Sequence, residues 1–109
     1  MNTSLINDFD TSGLDPKLTV VRCKTQEEAN LFLEYRYVRG DFRQGSRDAL
    51  SRYWREYCSS TCYRLYGVGY CDDSYYLREG WTVVDFCDIY HPQTNDPMDI
   101  TLGFDELFS

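Results

Sequence analysis

Two short runs leave little freedom in fold class: residues 62–66 (CYRLY) and residues 81–87 (WTVVDFC). The second carries Val83, Val84 and Phe86, β-branched or aromatic residues that suit a pleated, half-buried surface, and the first brings Tyr63 and Tyr66. Gly67 and Gly69 break the first run, and Gly80 stops whatever precedes the second. Together they predict a sheet with aromatic side chains on one face, against which an earlier helix packs.

The earlier helix announces itself. Residues 18–23 (LTVVRC) read as a first strand, and Thr25-Gln26-Glu27-Glu28 follows at once. Thr25 is placed to cap a helix and Glu28, three residues on, to reach back to it, the pattern of a capping box. Glu27 and Glu28 also sit at the positive end of the helix dipole. The helix is expected over residues 26–38, with Gly40 as its stop. Ala29, Phe32, Leu33 and the stem of Arg36 form one apolar stripe; Leu31, Tyr35 and Val38 form a second.

Further along, Asp41-Phe42-Arg43 reads as a short strand turned by Gly45. Ser46 reads as the cap of a second helix over residues 47–57, whose apolar face is Leu50, Tyr53, Trp54 and Tyr57. Tyr70-Cys71 opens another strand, and Asp72 or Asp73 caps a single helical turn that runs to Gly80. The fold class is therefore α+β: a small, mainly antiparallel sheet with strands near 18–23, 61–66 and 81–87, packed by one long and one shorter helix around a β-α-β-β core. Residues 1–16 are read as a flexible acidic arm, whose Leu5, Ile6 and Phe9 dock on the chain's own domain or elsewhere. Residues 17–91 form a single domain, and residues 92–109 an acidic extension.

Charge is distributed unevenly. Asp8, Asp10 and Asp15 stand in residues 1–16 without a base. Asp85, Asp88, Asp96, Asp99, Asp105 and Glu106 stand in residues 85–109, again without Lys or Arg. The middle carries eleven bases against nine acids, and nine of those bases are Arg. Two acidic ends thus flank a slightly basic body whose guanidinium groups suit planar contacts with carboxylates and phosphates. No apolar run approaches the length of a membrane span, and residues 1–20 lack the pattern of a secretory signal, so a cytoplasmic protein is expected. Five Cys is an odd number, for which reduced thiols are the default.

The residues that carry chemistry give little support to catalysis. Cys58, Cys62, Cys71 and His91 can be drawn as a zinc set, but they lack the two close pairs of a ribbon or finger; no metal is expected. Cys23 and Cys87 are expected on strands as small apolar residues. His91, the single histidine, precedes Pro92 in an acidic stretch and reads as a solvated imidazole rather than the base of a cysteine nucleophile. Asp72-Asp73 read as caps rather than an acid–base pair. No catalytic residue and no cofactor is expected.

Binding has two candidate surfaces. The acids Asp85, Asp88, Asp96, Asp99, Asp105 and Glu106, with Phe104 and Phe108 as anchors, suit a basic groove on a partner. There, complementary charge speeds encounter and aromatic anchors lengthen residence; the competing reading of such a tail is plain solubility. Alternatively Arg43, Arg47, Arg52 and Arg55, with Tyr53 and Trp54, combine cations with rings and suit a nucleotide signal sequestered by the segment 36–64. The competing reading there is internal pairing with Glu34, Asp41, Asp48 and Glu56. Overall negative charge argues against direct nucleic-acid binding.

The order LTVVRCKTQEEANLFLEY, Gly40-Asp41-Phe42, Trp54, Thr61-Cys62-Tyr63, Tyr75-Tyr76, Gly80-Trp81 and Val84-Asp85-Phe86 resembles a group of small α/β proteins encoded by low-GC Gram-positive bacteria, their prophages and their phages. The resemblance spans residues 18–90. It implies a compact β-α-β-β domain and a phage-linked setting, and it brings no catalytic residues. Arg43-Gln44 stand where that group's pattern has a Trp, and the acidic ends are additions. In composition the chain is also similar to small acidic phage proteins that inhibit host defence nucleases, anti-CRISPR proteins among them. These similarities favour a non-enzymatic inhibitor that occupies the basic surface of a nucleic-acid-handling defence protein in the host cell, with the nucleotide sponge as the alternative.

Overall fold

The computed structural model describes residues 4–92. In chain order the elements are α1 (Ser4–Asn7), β1 (Thr19–Arg22), α2 (Gln26–Val38), α3 (Gln44–Tyr57), a 3-10 turn (Cys58–Ser60), β2 (Thr61–Arg64), β3 (Tyr70–Asp72), α4 (Asp73–Arg78), β4 (Thr82–Asp85) and α5 (Phe86–Ile89). The α+β class holds, with a four-stranded mixed sheet in the order β3-β2-β1-β4. β1–β2 and β2–β3 are antiparallel; β1–β4 is parallel, with Val20 beside Val83 and Arg22 beside Asp85.

Both faces of the sheet are used, because side chains alternate along each strand. On one face Val21, Cys23, Tyr63 and Leu65 pack with Ala29, Phe32 and Leu33 of α2 and with Leu50 of α3. On the other, Val20 and Cys62 meet Tyr76 of α4, with Cys71, Trp81 and Val83 at the margin. Ala29, Phe32 and Leu33 are fully buried; a large apolar side chain so placed contributes about 1.5–3 kcal/mol.

Polar tethers fix the layers. The Trp54 indole N–H donates to the Cys23 carbonyl (2.8 Å) and the Tyr63 hydroxyl to the Leu50 carbonyl (2.7 Å), so α3 is fastened to the sheet twice. The Gln26 amide donates to the Ser51 carbonyl (2.9 Å), holding α2 against α3.

α2 begins and ends as its sequence dictates. The Thr25 hydroxyl accepts from the Glu28 N–H (3.1 Å), while the Glu28 carboxylate reaches one residue further back than a capping box requires, to the Lys24 N–H (2.8 Å). Gly40, just past the helix, has φ +90, a conformation that costs a glycine little.

Several expectations are corrected. Asp41-Phe42-Arg43 forms no strand; it is a bend held by ion pairs from Arg36 and Arg39 to Asp41. That tether delivers the chain to α3 early. The helix starts at Gln44 rather than Arg47, with Arg43 at the cap position and no side-chain cap. On α3 only Leu50 of the expected apolar face is buried, and Tyr53 is 39% exposed. The last strand stops at Asp85, where Asp85 and Asp88 form a capping box that starts α5. Cys87 therefore lies exposed on a helix, not on a strand. Of the arm, Leu5 and Phe9 are buried in the main core.

Candidate functional site: the acidic side of the sheet

β1, β3 and β4 run in the same direction, so their last residues, Arg22, Asp72 and Asp85, arrive at one end of the sheet. Arg22 is the hub. Its Nη1 donates to Asp73 Oδ2 (2.8 Å) and its Nε to Asp85 Oδ1 (2.8 Å). Asp72 spends one oxygen on the Tyr75 N–H (2.9 Å), capping α4. Asp88 caps α5 by accepting from the Asp85 N–H (3.4 Å). Cys71, Cys62, Arg22 and Asp85 form one row across the strands.

The electrostatics follow from this packing. The hydrogen bond from Arg22 holds the Asp85 carboxyl below the usual carboxylate range, against a smaller opposing effect of burial. The bonds to Asp85 and Asp73 raise the Arg22 guanidinium further above its already high value. Burial, reinforced by Asp73, pushes the Cys62 thiol up to about 12, so it stays protonated. Arg22 thus meets two carboxylates, Asp73 and Asp85, and Lys24 acts on Asp85 as well.

Residues 8–10 pair with residues 89–91, at the end of α5. Phe9 and Tyr90 form an antiparallel bridge. The Asp10 N–H donates to the Ile89 carbonyl (2.8 Å) and the His91 N–H to the Asp8 carbonyl (2.7 Å). α5, which separates Asp85 from this bridge, has four residues and so spans about 6 Å. Asp8 and Asp10 therefore flank the bridge one short helix away from Asp85. The Ser12 hydroxyl and amide both donate to Asp10, which keeps its carboxyl low.

Asp85 and Asp88 are thus brought together, each with an internal bond as well as a place in the acidic group. Asp96, Asp99, Phe104, Asp105, Glu106 and Phe108 lie outside the described residues. Arg22, Asp72 and Asp73 stand at this end of the sheet without having been assigned to a binding surface from the sequence. The available signal was the recurrence of Asp at the carboxyl ends of predicted strands.

The six residues of the alternative surface are spread around α3. Trp54 faces the sheet, Tyr53 stacks on Tyr70 with ring centroids 4.8 Å apart, and Arg47 binds Glu34 and Asp48 with its guanidinium over the Tyr37 ring. Arg52 and Arg55 share the solvent side, and together with Arg43 make no ion pair among the described residues. A cleft of about 240 Å³ between α2 and α3, lined by Asn30, Leu33, Glu34, Arg47, Asp48 and Ser51, contains only Arg47 of the six.

Comparison with protein-family models, curated proteins and solved structures returned no match. Among the described residues no group of three or more His, Cys, Asp or Glu is placed to hold a metal ion, and no helix is long and apolar enough to cross a membrane.

Proposed function

We propose that the protein is a non-enzymatic binding protein that engages a basic partner through its acidic side. On this reading it acts as a phage or prophage inhibitor that occupies the nucleic-acid-binding surface of a bacterial defence protein. The observation that supports the reading is the gathering of Asp72, Asp73 and Asp85 at one end of the sheet around Arg22, with Asp88 one helical turn beyond Asp85. Carboxylates gathered on one side create a directional field, which steers a cationic groove far better than the same charges scattered. The phage setting rests on the resemblance in residue order.

The test is capture from a bacterial lysate by the immobilised full chain at low and high salt. It is run beside a variant with Asp10, Asp96, Asp99, Asp105 and Glu106 changed to their amides. A basic nucleic-acid-binding protein is expected at low salt, lost at high salt and lost in the variant. Association that survives both high salt and the amide variant overturns the reading.

A second reading, sequestration of a nucleotide signal, is favoured by Arg52 and Arg55, which make no ion pair among the described residues, beside half-exposed Tyr53. It predicts a rise of several degrees in melting temperature with nucleotide at concentrations well above its Kd.

A further inference from the structure

Among the described residues, four of the exposed apolar side chains stand at least half open to water: Leu18 (50%), Tyr66 (64%), Val68 (57%) and Leu77 (59%). The topology gathers them at the sheet end opposite Arg22. Leu18 precedes β1, and its carbonyl accepts from the Thr82 N–H at the start of β4 (2.8 Å). Tyr66 and Val68 occupy the β2–β3 turn, whose Leu65 N–H donates to the Thr19 carbonyl (3.0 Å). Leu77 lies near the end of α4, its carbonyl bonded by the Gly80 N–H (3.2 Å) just ahead of Trp81.

The turn that carries Tyr66 and Val68 is fastened from below. Arg36, only 2% exposed, donates from Nη1 to the carbonyls of Arg64 and Gly67, and Arg39 donates to the Leu65 carbonyl (3.3 Å). Gly67 turns the chain at φ +95. Burying a guanidinium is costly, and here it immobilises a turn whose own side chains face water. Such a turn loses little freedom when something docks on it.

Charge defines what docks. Asp15 and Lys17 come just before Leu18, and Arg78 and Glu79 just after Leu77; all four are exposed and make no ion pair among the described residues, two of each sign. Among the described residues, Asp72, Asp73, Asp85 and Asp88 lie towards the other end.

We propose that this end is the interface through which two copies of the chain associate about a two-fold axis. A two-fold contact places the same patch on both sides and so requires self-complementarity. A mixed-sign rim supplies it, with Lys17 and Arg78 of one copy opposite Asp15 and Glu79 of its partner. Each copy carries a net charge of −7, and this approach keeps the two acidic sides farthest apart. The dimer then presents its two acidic sides outward. None of this depends on what the acidic side binds.

Sedimentation equilibrium of the full chain, from low micromolar to millimolar concentration, tests the proposal. The weight-average mass is expected to climb from 12.9 kDa towards twice that value, and to do so at lower concentration as salt screens the mutual repulsion. Tyr66→Ser with Val68→Ser should weaken association by about tenfold or more, with the circular dichroism of the monomer unchanged. Lys17→Glu with Arg78→Glu, which makes the rim single-signed, should weaken it too. A 12.9 kDa species at every concentration and salt overturns the proposal, as does a dimer indifferent to Tyr66→Ser/Val68→Ser. Self-association should rise with salt while capture of a basic partner should fall, so each reading fails separately.

Discussion

The Arg36 guanidinium, buried beneath the β2–β3 turn, binds Asp41 Oδ2 through Nε at 2.9 Å while its Nη1 holds the Arg64 and Gly67 carbonyls. One side chain thus ties the end of α2 to the bend before α3 and to the sheet. Removing it leaves two carbonyls without that donor and Asp41 with Arg39 alone. Arg36→Ala is expected to cost about 3–5 kcal/mol, read as a lower urea midpoint at unchanged slope.

Acid should find the carboxylates that arginine holds. Asp85 is held low by its bond from Arg22, with burial opposing. At Asp41 burial is the largest single influence and raises the carboxyl, but the bonds from Arg39 and Arg36 together outweigh it, and the net shift is downward. A carboxyl whose folded pKa lies below its unfolded value stabilises the fold fully above the unfolded value, about 3.9 for Asp, and loses that contribution as pH falls through the folded value. Urea midpoints should therefore be flat from pH 7 to about 5 for these two groups and fall below about pH 4. Asp85→Asn should lower stability at pH 7 and shrink the acid-induced loss.

Phe9 stacks on Tyr35 with ring centroids 4.1 Å apart and meets Phe86 edge-on at 5.7 Å. It is the pin that holds the first residues to the core. Phe9→Ala should cost about 3 kcal/mol, and amide hydrogen exchange should quicken at Asp10 and His91, whose N–H groups bond across the bridge.

Cys58 ends α3 at φ +50, ψ −124, a backbone conformation that suits glycine. Cys58→Gly relieves that strain while giving the unfolded chain more freedom. A net gain of about 0.5–1 kcal/mol is expected, a rise of a few degrees in melting temperature.

What the sequence disclosed, and what it hid, divides along the range of the interactions. α2 was legible at both ends because Thr25, Glu28 and Gly40 act on their own neighbours. The start of α3 was not: Ser46 is a good local cap, but the Arg36–Asp41–Arg39 tether, formed with a neighbouring helix, sets the chain's direction three residues earlier. The end of β4 was legible in principle, since Asp85 and Asp88 stand at capping-box spacing, but the apolar run through Phe86 and Cys87 masked it. Parallel pairing of β1 with β4 leaves no local trace, because the partners are some 60 residues apart. The acidic group shares that origin: Asp72, Asp85 and Arg22 become neighbours only once the strand order exists.

The bridge from Phe9 to Tyr90 seams together two stretches about 80 residues apart, so a bulky group attached at either one crowds the other. A label meant to leave that side open belongs instead in the surface turn at Gly80, at the opposite end of the sheet, where an added Cβ would meet nothing within 4 Å although φ +84 favours keeping the glycine itself.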